Sequence, residues 1–260
     1  MSDNLLIMEK KGALATLTIN RPQVRNSLNP ALLFKIADCL GDLAQTDEIR
    51  AVVIRGEGGM AFSSGYDISE IPNDISGLNE KNPIDFGFEA IEQYPYPVIA
   101  MIDGFALGAG CELAMTCDIR IASARAKLGM PPSRLGVIYR PHGIQKFIDI
   151  MGLANTLEAF YTGHTYEARM AKEMGMLNHV VSNKDLHSFT YDIADEISHN
   201  APLSLKGHKY IFRMLRHCQE IKENDRPEIE KRISEALKSE DRAEGVLAFF
   251  QKRKPIFKGR

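Results

Sequence analysis

The stretch Ile102–Asp118, IDGFALGAGCELAMTCD, decides how the rest of the chain is read. It grows out of an apolar, β-like run, Pro97–Ile102 (PVIAMI), and turns at Asp103-Gly104. It re-enters regular structure through Gly108-Ala109-Gly110, ahead of an apolar segment of helical character from Cys111 to Thr116. Small residues before a helix let the backbone approach a ligand closely and leave the first-turn N–H groups pointing outward. With the helix dipole behind them, those donors suit negative charge. Glu112 falls one turn in, so the pattern is that of an oxyanion hole with a carboxylate beside it. A tight packing turn followed by a surface Glu would look the same, so flanking sequence must decide.

Toward the N-terminus, Leu5–Met8 and Leu14–Ile19 flank Lys10-Lys11-Gly12 and predict a β-hairpin. Asn29-Pro30 predicts a helix start, with Asn at the N-cap and Pro at the first position, continuing through ALLFKIADCLGDLAQ. Ala51–Ile54 reads as a buried strand, and a short one near Ala61-Phe62 runs into Ser63-Ser64-Gly65-Tyr66-Asp67. Residues 72–87 are polar and predict a mobile flap before a helix near Phe88–Gln93. Beyond the central stretch, strands are expected at Ile119–Ala122 and Lys127–Met130. The alternation predicts an α/β core with parallel strands. Its strand–loop–helix unit occurs at 51–67 and again at 97–112, so N–H groups from two loops can converge on one oxygen.

From Pro141 onward helical patterns dominate, over 141–151, 153–161, 165–174, 184–199, 203–218, 228–238 and 241–252, with one strand at Leu177–Val181. Asn200-Ala201-Pro202 breaks the pattern. The expected organisation is a core over 1–200 and a helical part over 201–260.

Composition narrows the function classes. With 260 residues, 44% hydrophobic and 25% charged, the chain suits a soluble globular fold with a substantial core. A formal net charge of −2 gives no global attraction to nucleic acid or anionic membrane. No apolar run is long enough to span a bilayer and the start of the chain lacks a secretory pattern, so a cytoplasmic protein is expected. Cys39, Cys111, Cys117 and Cys218 lack CxxC spacing and suit reduced thiols. The seven histidines show no metal spacing. Ser63 and Ser64 have no arguable triad partners, which leaves a hydrolase reading weak.

FSSGYDISE (62–70) and GFALGAGCELAMTCD (104–118) together resemble the paired oxyanion-hole motifs of the crotonase, or enoyl-CoA hydratase/isomerase, superfamily. NRPQVRNSLN (20–29), the LGM–LGV segment (128–137) and KRKPIFKG (252–259) fit the same family in order. The resemblance implies an α/β spiral of ββα units and a C-terminal helical region that trimerises, giving a homotrimer or homohexamer. It implies an acyl-CoA thioester as substrate, with coenzyme A part of that substrate and no separate cofactor or metal. By position, the thioester-binding N–H groups fall on Tyr66 and Ala109. Contacts to CoA fall on Arg25, Ser64, Gly65, Asp67, Ile68, Gly108, Phe249 and Lys252. Without the resemblance, Lys252 would read as a solvated helix end.

The family's hydratases hold one water between two glutamates. Glu112 matches the first, but Pro132 stands where the second belongs, in Met130-Pro131-Pro132-Ser133. Proline has no titratable group and no N–H, so the two-carboxylate mechanism fails here. MPPSRLGVIYRPHG (130–143) resembles the methylmalonyl-CoA decarboxylase branch instead, as do GYDISEIP (65–72) and SEDRAEGVLAFFQKRKPIF (239–257). Tyr139 then falls on that branch's active-site tyrosine, while Tyr66 replaces its histidine, and Pro132, Leu135 and Arg140 line the substrate pocket. Losing the second carboxylate suits a dianion-like substrate head: two charges about 4 Å apart repel by roughly 4 kcal/mol at an effective dielectric near 20. Glu112 would deliver a proton after CO2 leaves, or be a structural carboxylate neutralised by Arg134 or Arg140 or kept protonated by burial. Arg140 itself would bind the substrate carboxylate or pair at the surface. The alternatives are a hydratase or isomerase relying on Glu112, and a non-catalytic acyl-CoA-binding relative.

Overall fold

The computed structural model describes residues 4–67, 70, 82–217 and 226–256. Strands β1 (Leu6–Lys11) and β2 (Leu14–Ile19) form the N-terminal hairpin. Helix α1 (Pro30–Thr46) is capped by Asn29, whose side chain accepts from the Leu32 N–H at 3.0 Å. There follow β3 (Ala51–Gly56), β4 (Ala61–Ser63), α2 (Pro83–Gln93), β5 (Val98–Ile102), β6 (Phe105–Leu107) and α3 (Ala109–Thr116). Then come β7 (Ile119–Ser123), β8 (Lys127–Gly129), a 3-10 turn (Pro132–Leu135), α4 (Pro141–Thr162), β9 (Thr165–Glu167), α5 (Ala168–Glu173) and β10 (His179–Val181). Four helices close the chain: α6 (Leu186–His199), α7 (Pro202–His217), α8 (Arg226–Lys238) and α9 (Glu240–Phe250).

Among the described residues, a six-stranded sheet runs in the order β1-β2-β3-β5-β7-β10, parallel throughout except for β1. Its central strands are buried on both faces, as parallel sheets require. Val52, Ile54, Val98, Ala100 and Ile102 point toward α1, α2 and α3, whereas Val53, Ile99 and Met101 face Leu186 and Ala194 of α6. Three strands of this sheet each turn a corner into a second sheet, ordered β4-β6-β8-β9: β3 feeds β4, β5 feeds β6 and β7 feeds β8. The corner at Gly104 has φ +71°, and a Cβ there would lie 2.1 Å from the Met60 carbonyl oxygen, so only glycine fits. The α/β spiral of ββα units expected from the sequence is therefore present.

Some boundaries differ from expectation. Phe105–Leu107, read as part of a turn, is strand β6, because Ala61 and Leu128 give it a neighbour on each side. Residues 165–167, expected to open a helix, form β9 against β8, with Lys127 and Glu167 paired at 2.8 Å. Helix α2 begins at Pro83, inside the expected flap, while residues 72–81 of that flap lie outside the described residues. The break expected at 152 is a kink in α4, where Gly152 takes φ +75°. Helix α9 returns to the core: a Cβ on Gly245 would meet the Leu135 backbone within 3.0 Å. No helix among the described residues is long and apolar enough to cross a membrane.

Candidate active site

Strands β4 and β6 are parallel neighbours, so the loops leaving them, 64–67 and 108–109, emerge side by side. They touch: a Cβ on Gly65 (φ +108°) would lie 2.8 Å from the Leu107 oxygen and 3.6 Å from the Ala109 nitrogen. One turn later, a Cβ on Gly110 would sit 2.4 Å from the Ser63 oxygen. Glycine at 65 and 110 is what lets the two loops close. Gly108, with φ +52° and ψ −124°, swings the chain from β6 into α3, and its N–H donates to Gly129 at 2.9 Å.

The first loop is fixed from its other flank. The Leu28 N–H donates to the Gly65 oxygen and the Asp67 N–H donates to the Leu28 oxygen, each at 2.8 Å. In a parallel bridge of this kind Tyr66, between them, turns its own N–H to the opposite side, away from Leu28. The Tyr66 and Ala109 N–H groups find no hydrogen-bond acceptor among the described residues. Asn26, fully buried at φ +57°, donates to the Glu57 and Ala61 oxygens at 2.9 and 2.7 Å and accepts from the Arg21 N–H at 3.0 Å. Arg21 in turn donates to the Ser27 oxygen at 2.6 Å and reaches Asp67 at 3.5 Å. The exposed Arg25, at φ +54°, accepts the Ser64 N–H on its carbonyl oxygen.

Glu112 is buried on the first turn of α3, 4% exposed. The Tyr139 hydroxyl lies 2.7 Å from its Oε2. Gly143, on the first turn of α4, makes room for this pair: a Cβ there would stand 2.9 Å from both Glu112 Oε1 and a Tyr139 ring carbon. Behind Glu112, the buried Lys146 of α4 lies 3.9 Å from its Oε1. Lys146 lies closer to Glu92 of α2, at 3.0 Å, and donates to Thr116 Oγ1 at 3.2 Å, with its ammonium over the Phe88 ring. His142 lies 3.6 Å from the other Glu92 oxygen.

Electrostatics separates the two carboxylates. Burial pushes the Glu112 carboxyl above its ordinary range, opposed by Lys146 and the Tyr139 hydroxyl. Burial acts on Glu92 too, but the nearby His142 and the Lys146 ammonium outweigh it and hold that carboxyl at about 2. Burial and the adjoining Glu112 push the Tyr139 hydroxyl well above its ordinary value. Burial raises the Cys111 and Cys117 thiols to about 12, so neither is a ready nucleophile.

The structure thus brings together Gly65, Tyr66, Gly108, Ala109, Glu112 and Tyr139. Pro132 is buried in the 3-10 turn beside Leu135, and places no titratable group there. Arg140 makes a hydrogen-bonded ion pair with Asp85 at the start of α2, and Arg134 donates to the Thr162 oxygen. The basic neighbour of Glu112 is therefore Lys146 and not Arg134 or Arg140, because α4 carries Lys146 inward one turn past Gly143. Phe249 and Lys252 are exposed at the end of α9. Ile68 lies outside the described residues. Sequence reasoning missed Glu92 and Lys146. The available signal was position: Lys146 shares a helical face with Gly143, Phe147 and Met151, all buried. A lysine on such a face needs a buried partner.

The sequence profile of the enoyl-CoA hydratase/isomerase family matches residues 9–260, and this chain belongs to that family, within the crotonase superfamily. It is 35% identical over 263 residues to the short-chain-enoyl-CoA hydratase of Clostridium acetobutylicum, covering 98% of this chain and 97% of that protein. It is 32% identical over 247 residues to the methylmalonyl-CoA decarboxylase of Escherichia coli, covering 94% of each. A crystal structure of methylmalonyl-CoA decarboxylase complexed with 2S-carboxypropyl-CoA matches with a TM-score of 0.92 at 31% identity over 100% of both chains. An enoyl-CoA hydratase structure from Bacillus anthracis matches with a TM-score of 0.74 at 32% identity, over 98% of this chain and 100% of that one.

Proposed function

We propose that this protein is an acyl-CoA enzyme that stabilises a thioester enolate, and that its reaction is decarboxylation of malonyl- or methylmalonyl-CoA. The observation that carries this reading is that Glu112 is buried against the Tyr139 hydroxyl, while Pro132, at the position where resemblance to the family's hydratases places a second acid, is buried and supplies no carboxyl. The backbone likeness adds support, since at nearly equal sequence identity the decarboxylase structure matches much better than the hydratase structure.

The thioester oxygen is held by the N–H groups of Tyr66 and Ala109. Each such donor is worth roughly 3–4 kcal/mol as the oxygen gains charge. With the carboxylate-bearing C–C bond perpendicular to the thioester plane, its electron pair flows into the enolate and CO2 departs. No base is required. The weakly solvating pocket favours loss of a neutral molecule over retention of a carboxylate. The enolate carbon then takes one proton from the Glu112–Tyr139 pair, giving the saturated thioester. Glu112 suits that task because burial favours its protonated form, the form that adds no charge to repel the substrate. Arg140, paired with Asp85, stays out of the carboxylate's way; a tight Arg–carboxylate bond would stabilise the ground state and slow the reaction. CoA itself would run past Arg25, Ser64, Gly65, Asp67 and Gly108 toward Phe249 and Lys252.

Incubation with malonyl- and methylmalonyl-CoA, followed by mass spectrometry of the thioester, tests the proposal: loss of CO2 is expected. A second reading, hydration or isomerisation with Glu112 as the single acid–base group, draws on relatives such as the Clostridium hydratase. Hydration of crotonyl-CoA without CO2 release from either malonyl thioester would select it. A protein that did neither would be a binding relative.

A further inference from the structure

One ammonium serves two buried carboxyl groups in this chain. Lys146 projects from α4 between Glu92 of α2 and Glu112 of α3, and all three side chains are at most 12% exposed. Its three protons have three acceptors: Glu92 Oε1 at 3.0 Å, Thr116 Oγ1 at 3.2 Å and Glu112 Oε1 at 3.9 Å. The first two distances are hydrogen bonds and the third is not. One positive charge neutralises one carboxylate, and the geometry awards it to Glu92. Glu112 is left with a neutral hydroxyl, Tyr139, as its hydrogen-bonding partner.

The remaining charged groups around Glu112 do not alter that division. Asp85, on α2, is answered by Arg140 at the N-cap of α4. His142, on the first turn of α4, is turned to Glu92 at 3.6 Å. A second negative charge at Glu112 would therefore be buried without a hydrogen-bonded cation, which costs several kcal/mol in an apolar setting.

We propose that Lys146 and Glu92 are positioning residues: by engaging Lys146, Glu92 withholds the ammonium from Glu112 and so keeps Glu112 as the uncharged acid that returns a proton to the enolate. The inference rests on the use of Glu112 as the acid, but the coupling among the three side chains stands apart from any reaction. It makes two predictions of opposite sign. Lys146→Met removes the nearest positive charge from a Glu112 anion, so Glu112 should hold its proton to higher pH. Glu92→Gln frees Lys146 to swing the remaining ångström to Glu112, so Glu112 should lose its proton at lower pH. An opposite charge at this range moves a carboxyl by about one pH unit or more.

The test uses the full-length protein and two readouts. Carbon-13 NMR of labelled glutamate carboxyls, with Glu112 assigned by its loss in Glu112→Gln, follows the titration directly. The pH dependence of CO2 release from malonyl-CoA follows its use. The expected result is an upward shift in Lys146→Met and a downward shift in Glu92→Gln, with the alkaline limb of the rate profile moving alike. Shifts in one common direction, or none, overturn the assignment, because a merely structural ion pair would lower stability and leave the titration of Glu112 in place. Should one variant fail to fold, the other decides, since each has its own predicted sign. Shifted titrations without CO2 release overturn the decarboxylase reading and leave the coupling intact; CO2 release with unmoved titrations does the reverse.

Discussion

The Glu112–Tyr139 contact concentrates the chemistry into one hydrogen bond of 2.7 Å. Tyr139→Phe removes the hydroxyl and little volume, so the fold should hold while CO2 release from malonyl-CoA falls by about 100-fold, the low end of positioned acid–base catalysis. A Phe variant working at the full wild-type rate would remove Tyr139 from the mechanism. Glu112 also carries a stability signature. Its folded-state carboxyl is raised, so the native state binds more protons than the unfolded chain once pH exceeds the ordinary 4.5. The Glu112 contribution to stability then falls as pH rises from 4.5 through the folded value, and levels off above it. Glu112→Gln lacks that loss. Its melting temperature should exceed that of the wild type by a margin that opens with rising pH and closes at pH 4, as thermal melts across pH 4–8 would show; parallel curves would mean that the carboxyl is not raised. Glu92 has the reverse sign: held at about 2, it adds stability above pH 4.5 that is lost as pH falls toward 2.

Among the elements, the decisive contact is the seam where β4 and β6 release their loops. Gly110→Ala would force a methyl to within 2.4 Å of the Ser63 oxygen, a backbone atom with little freedom to move. Helix α3 must then shift away from the first loop, carrying the Ala109 N–H with it. The expected cost is about 1–3 kcal/mol in stability, the range for overpacking, with a larger proportional loss of kcat than of stability in a matched melt and assay. Retention of full kcat would show that the seam does not set donor geometry. The sequence carried much of this seam, since Gly65, Gly108 and Gly110 punctuate two strand–helix units and have no side chain to suit any other role. It did not carry β6 or β9. Each is three residues long, and what makes Phe105–Leu107 a strand is the pairing with β4 and β8, a tertiary fact absent from local pattern. Glu92 and Lys146 were hidden for a related reason: each is an ordinary helix residue until α2 and α4 are packed together.

At the scale of the whole molecule, the sequence placed the α/β core, the cap of α1 and the kink at Gly152 from local chemistry, because each depends on residues close in the chain. What local chemistry leaves open is the fate of the last helices. Helix α9 is fastened to the core at Leu135, yet α7 leaves Leu203, Tyr210, Ile211, Phe212 and Leu215 more than half exposed. A single chain rarely leaves a helix face of that size in water. Lys209 of the same helix fixes it to the core through the Tyr96 oxygen and Asp118, each within 2.9 Å. So α7 is anchored through Lys209 while it presents an apolar face of the kind a closed symmetric assembly buries. A homotrimer or homohexamer is accordingly expected, and light scattering should give about three or six times the 29.0 kDa chain mass. Phe212→Glu places a charge on that face. It should shift the species toward the monomer while circular dichroism at 20 °C stays that of the wild type. A Phe212→Glu protein that keeps the wild-type mass would move the assembly surface off α7.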